Sequence, residues 1–209
     1  MANTTLTPGT GSVSLTGNSA ALIVDGSGRT AINDFRGSSK SEVINGCIHI
    51  KVLEGPPRGR ENETSVIGVL ASVISHEGMS GPKISQGRDA HGEDGVLIFS
   101  DGRKLLVQIV SVPVDPEYWK SVAQGQAEIQ LSFEHAAVWL HDSMEKKGRS
   151  LTTVDKAETV LALDARHCAQ IAHEDVIELL RMKFGDPTEY GFAQIWLVGP
   201  VPDRSRKLA

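Results

Sequence analysis

Cysteine is nearly absent from this chain: only Cys47 and Cys168 occur in 209 residues. A pair so far apart gives no disulfide framework and cannot build a thiolate-rich zinc site alone, and it suits a reducing compartment. Long hydrophobic runs are missing too. No stretch approaches the roughly 20 apolar residues needed to cross a bilayer, and the opening "MANTTLTPGTGSVS" lacks the basic and apolar regions of a secretory signal. The expectation is a cytoplasmic protein with no membrane partner. Positive charge is also in deficit, with 21 Lys and Arg against 26 Asp and Glu and a net charge of −5. That balance speaks against sequence-independent nucleic-acid binding over a broad surface, which rests on cations neutralising phosphates. It leaves local clusters at Arg58 and Arg60, Arg103 and Lys104, Lys146 with Lys147 and Arg149, and Arg204 with Arg206 and Lys207. By pattern these read as solvated loop ends.

Several chemistry-bearing motifs are absent as well. No phosphate-cradling Gly-Lys loop and no Gly-x-Gly-x-x-Gly after a strand occurs, so nucleotide binding by those routes is excluded. Neither a Gly-x-Ser-x-Gly elbow nor a His-Glu-x-x-His helix is present. His91 and Glu93 have the His-x-Glu spacing of zinc deaminases, but the Pro-Cys-x-x-Cys partner does not exist.

What is present describes a folding chain. An apolar fraction of 40% with 22% charged residues is ordinary for a globular protein. Residues 1–41 are more than half Gly, Ser, Thr and Asn. They read as a region partly disordered or forming a peripheral hairpin that turns at Asp25-Gly26-Ser27-Gly28. Residues 42–202 are expected to form a single α/β domain and 203–209 a basic tail. In "CIHIKVLEG" Cys47, His49 and Lys51 alternate with Ile48, Ile50 and Val52, the period of a half-buried strand. Val66, Ile67, Leu70, Val73 and Ile74 recur at helical spacing, predicting a helix over 63–76. "DGVLIFSDGRKLLVQIV", Asp94 to Val110, reads as a hairpin apolar on both faces, hence from a sheet covered on two sides. A further strand fits around Lys83-Ile84. One long helix is predicted from Pro116 to Lys147, with Gly125 as a kink or break. Then come strand "TVLALDA", helix "HEDVIELLRMKF" and strand "FAQIWLVG". This order specifies an α/β fold with a central mixed sheet flanked by helices.

Candidate ligands fall in three places. Asp89, His91, Glu93 and Asp94 share one polar loop, which reads as a solvated turn. His167, Cys168 and His173 stand where a strand leads into a helix, and a helix cap suffices to explain them. In the hairpin, Asp94 stands at the mouth of an apolar strand and Gln108 interrupts the next.

The order helix, strand, strand, helix, strand, with room for one more strand around Lys83-Ile84 before the hairpin, and with Asp94 in "EDGVLIF" and Gln108 in "VQIV", resembles the PD-(D/E)XK nuclease superfamily, the restriction-endonuclease-like fold. The resemblance covers roughly 61–165, with the last helix and strand as an extension. It implies an Asp at the start of one core strand and a Glu-x-Lys on the next, converging on magnesium, often joined by a Glu from the first helix. Carboxylates hold the metal that activates water, and the lysine positions the nucleophile or offsets charge. Asp94 matches the Asp, Gln108 falls at the Glu, Glu63 is the helix candidate, and Val110 falls where the lysine should be. Glutamine still offers a carbonyl oxygen. Valine offers nothing, so an active enzyme needs a cation from elsewhere, with Lys120 and Lys104 as candidates. Register decides whether the pair can meet. A two-residue Asp101-Gly102 turn sets Asp94 opposite Ile109 and on the other face from Gln108, whereas a three-residue loop with a bulge brings the two together.

Two readings stand. One is metal-dependent phosphodiester cleavage at a degenerate site, with a nucleic-acid partner. The other is a non-catalytic α/β scaffold that binds a protein, a nucleic acid or a second copy of itself.

Overall fold

The computed structural model describes residues 11–13, 21–24, 30–34, 39–52, 60–76, 82–87, 93–124 and 128–209. The polar loop with Asp89 and His91 and the turn at 25–28 lie outside them.

The strand "TVLALD", β10 (Thr159–Asp164), is buried along its whole length. It lies between β8 (Lys104–Ser111) and β11 (Gln194–Val198), parallel to both. Antiparallel neighbours extend the sheet on each side, giving the order β12-β11-β10-β8-β7-β6, where β6 is Lys83–Gln86, β7 is Gly95–Ile98 and β12 is Arg206–Lys207. The basic C-terminal residues are thus an edge of this sheet rather than a tail, with Lys207 opposite Trp196 and Arg206 opposite Leu197.

An apolar strand with two buried faces needs cover on both. Helix α1 (Arg60–His76) supplies one cover: Val66, Ile67, Leu70 and Ile74 pack on Leu97, Val107, Val160, Ala162 and Trp196. On the other face Val110, Val112, Leu161, Leu163 and Ile195 meet α2 (Pro116–Ala123), α3 (Phe133–Gly148) and α5 (Glu174–Phe184). No helix among the described residues is long and apolar enough to cross a membrane.

The long helix predicted over 116–147 is two helices with a strand between. Asp115 caps α2 by accepting from the Glu117 N–H at 2.9 Å, with Pro116 in the first turn. After the segment around Gly125, β9 (Glu128–Ser132) pairs antiparallel with β5 (Cys47–Val52). Glu128, Gln130 and Ser132 alternate with Ile129 and Leu131, a period of two that helical spacing on either side obscures. Ser132 then accepts from the His135 N–H at 3.3 Å and starts α3. Strand β9 closes a second sheet of order β1-β2-β3-β4-β5-β9, where β1 is Gly11–Val13, β2 Ala21–Val24, β3 Thr30–Asp34 and β4 Ser39–Ile44. Ala21–Val24 and Thr30–Asp34 do form a hairpin, continuous with this sheet. Ile48, Ile50 and Leu131 carry the sheet into the core beneath α3.

One buried ion pair ties α1 to the end of β10. The Arg166 guanidinium donates to both oxygens of Asp164, at 2.8 and 3.0 Å, and also to Ser65 Oγ at 2.8 Å and to Asn62 Oδ1. Burial opposes ionisation of Asp164, but the Arg166 charge and hydrogen bonds outweigh it and hold the carboxyl below its usual range. Breaking such a pair leaves a buried charge uncompensated. Arg166→Met is therefore expected to lower unfolding free energy by about 3–5 kcal/mol in urea melts. Because the folded carboxyl is more acidic than the unfolded one, its contribution is complete above the ordinary value near 3.8 and lost as pH falls through the folded value. Acid unfolding of the parent should show this loss, and Asp164→Asn should flatten it.

Candidate functional site

The hairpin register is set at its turn. Gly102 N–H donates to the Phe99 carbonyl at 3.0 Å, and Phe99 N–H to the Arg103 carbonyl at 2.9 Å. Gly102 adopts a positive φ of 86°, which a side chain would resist. Asp101 braces the loop, accepting from Arg103 N–H at 3.0 Å and from its Nε at 2.6 Å. This is the three-residue loop with a bulge, Ser100 to Gly102. Ile98 consequently faces Lys104 and Gly95 faces Val107. Asp94, just before β7, stays beside β8, and Gln108, next after Val107 on that strand, points to the face opposite α1.

Asp94 extends the ladder beyond its own strand. Its N–H donates to the Val107 carbonyl at 3.0 Å, and its Oδ2 accepts from the Ile109 N–H at 2.6 Å. The carboxylate thus satisfies a backbone donor left where β7 has ended. Gly95 follows for steric reasons. A Cβ there would come within 2.3 Å of Ile67 Cδ1, so glycine lets α1 lie close against the hairpin. Burial pushes the Asp94 carboxyl above its ordinary value, opposed by the Ile109 N–H and by the Lys147 charge.

Gln108, 6% exposed, accepts at Oε1 from Lys147 Nζ at 2.7 Å. Lys147 therefore joins Asp94 and Gln108 from the last turn of α3. It is the residue that sequence reasoning missed, having grouped it with solvated basic ends. The signal lay in the helix period. Leu140 and Met144 are buried on α3, and Lys147 continues their stripe at the next turn. An erroneous helix start hid that phase.

The other candidates lie elsewhere. Lys120 pairs with Glu117 at 3.4 Å on the exposed side of α2, and Lys104 is exposed at the start of β8. Glu63 belongs to α1, one turn before Ile67, on the helix that covers the opposite face of the sheet from α3. Val110 is buried in the core beneath α3. His173 caps α5, accepting from Asp175 N–H at 3.3 Å, while Cys168 is buried and its thiol pushed well up by that burial. Among the described residues no three His, Cys, Asp or Glu side chains stand close enough to share a metal ion.

Beside Lys147 a groove of about 440 Å³ opens over the free end of β8, lined by Ile109, Val110, Ser111, Pro113, Val114, Trp119, Lys146 and Lys147. Comparison with protein-family models, curated proteins and solved structures gives no match for this chain.

Two substitutions test the electrostatics. Lys147→Met removes a charge that favours ionised Asp94, so the Asp94 pKa should rise further, read by NMR titration of its carboxyl carbon. Asp94→Ala strands the Ile109 N–H and is expected to cost about 1–3 kcal/mol in denaturant melts.

Proposed function

We propose that this chain is a nuclease-like domain of the PD-(D/E)XK type that hydrolyses phosphodiester bonds with a divalent metal, using Asp94, Gln108 and Lys147. The observation that carries the reading is the Lys147 ammonium, 2.7 Å from Gln108 Oε1 and electrostatically coupled to Asp94. It brings a cation to the place where Val110 leaves the strand without one. The element order also supports it: α1, β6, β7 and β8, then α3 and β10, with α2 and β9 inserted before α3, the short α4 (Thr153–Ala157) before β10, and α1 and α3 on opposite faces.

The donor set suits magnesium, which keeps several waters and takes one or two carboxylates together with substrate oxygens. Asp94 would hold it by its carboxylate, whose Oδ1 makes no hydrogen bond among the described residues, and Gln108 by the second lone pair of the amide oxygen that accepts from Lys147. When bound, the ion would polarise a phosphoryl oxygen and make a bound water more acidic. The chain's own residues do the rest. Asp94, fixed by the Ile109 N–H, keeps its carboxylate aimed between the strands. Lys147 offsets negative charge on the phosphate, and Gln108 keeps that ammonium from swinging into solvent.

Supercoiled DNA, single-stranded DNA and RNA incubated with magnesium or manganese should be cut, and chelator should stop the reaction. Asp94→Ala should abolish cleavage, and Lys147→Met should slow it by roughly 10²–10³, the usual effect of removing one charge-stabilising group. Lys120→Ala should stay near the parent rate. Because protons compete with the metal for Asp94, whose carboxyl burial makes less acidic, the magnesium concentration needed should rise as the pH is lowered. Gln108→Glu should lower the magnesium concentration needed. Intact substrate under every condition would overturn the enzyme reading in favour of a non-catalytic binding scaffold. One observation favours that scaffold: the lysine already partners Gln108 internally.

A further inference from the structure

We propose that the groove over β8 is a subsite for one unpaired nucleotide, with Trp119 as the stacking platform for the base and Lys146 as the partner of its phosphate. As a statement about what the enzyme cuts, this rests on the nuclease reading. As a binding site it stands on the groove itself.

The groove has the size of a small-ligand site, about 440 Å³, within the usual range of roughly 300–1,000 Å³. Its lining combines two chemistries: Pro113, Val114 and Trp119 are apolar, and Lys146 and Lys147 are cationic. A nucleotide presents that same pairing, a flat apolar base joined to an anion.

Trp119 is held for the role. Its Nε1–H donates to the Pro113 carbonyl at 2.6 Å, and the Tyr118 and His167 rings pack nearly perpendicular to it with centroids 4.9 and 5.5 Å away. The ring cannot turn away, so little freedom is lost when a base stacks on it. Of the two lysines, Lys147 already donates to Gln108. Lys146 is exposed and makes no ion pair among the described residues. It is the cation available to a phosphate. Lys147 both lines the groove and donates to Gln108, so a seated nucleotide lies beside the Asp94, Gln108 and Lys147 cluster. A paired base inside a duplex has both faces covered by its neighbours and cannot offer one to Trp119. Single strands are therefore the expected ligand.

The test measures fluorescence anisotropy of a labelled oligothymidylate and of a duplex of equal length, in chelator, so that neither metal nor cleavage is required. The parent should bind the single strand more tightly than the duplex. Trp119→Leu should weaken single-strand binding by about 5–150-fold, and Trp119→Phe should retain most of it, since stacking survives. Lys146→Ala, at an exposed position, should reduce the salt dependence by about one counterion. No single-strand binding, equal binding of the duplex, or binding indifferent to both Trp119→Phe/Leu and Lys146→Ala would overturn the proposal. Trp119-dependent binding without cleavage in magnesium upholds the subsite and rejects the enzyme reading. Cleavage that Trp119→Leu and Lys146→Ala leave intact rejects the subsite alone.

Discussion

Strand β10 has no exposed face, and most of this architecture follows from that constraint. Six consecutive buried residues, with parallel partners on both edges, require apolar cover above and below the sheet. The chain therefore divides its helices, α1 to one side and α2, α3 and α5 to the other, and two separate cores form. The side on which a residue of β8 points then decides which helix it can meet. Gln108 shares its face with Val110 and so meets α3, while Val107 and Ile109 meet α1. The buried Asp164 and Arg166 pair locks the arrangement by tying the end of β10 to Asn62 and Ser65 on α1.

The polar cluster at Asp94 is economical in donors and acceptors. A carboxylate at the end of a short strand would be costly to bury alone. Here one oxygen replaces the missing strand partner of Ile109, and a lysine in the last turn of α3 offsets its charge. Burial still wins, leaving the acid weaker than in water. Groups whose environment pulls their ionisation in opposite directions are common at functional sites, although structural networks do the same. The cluster shares Lys147 with the groove that Trp119 and Lys146 also line.

Much of the fold was legible before any coordinates. Helix α1, the hairpin, β10, α5 and β11 follow from period, caps and turn residues, and the α/β class follows from their order, while the strand at Lys83 has no period of its own and was only allowed for in a polar stretch. The strand β9 was not legible, because five residues between two helical stretches carry little periodic signal and their role depends on β5, far away in sequence. Losing that strand shifted the start of α3, and with it the phase that places Lys147 on the buried stripe below Leu140 and Met144.

The site divides in the same way. Sequence alone determined that Asp94 and Gln108 sit on adjacent strands, because Asp101-Gly102 can only be a tight turn between apolar runs. It left two registers open, since "SDGR" suits a two-residue turn and a bulged three-residue loop alike. Tertiary structure chose the bulge. Ile67 against Gly95 and the Ile109 N–H on Asp94 are satisfied together only in that register, and a one-residue slip would turn the hairpin's side chains to the wrong core. It alone supplied Lys147, because a contact between residues 39 positions apart exists only once a helix has been laid across a sheet.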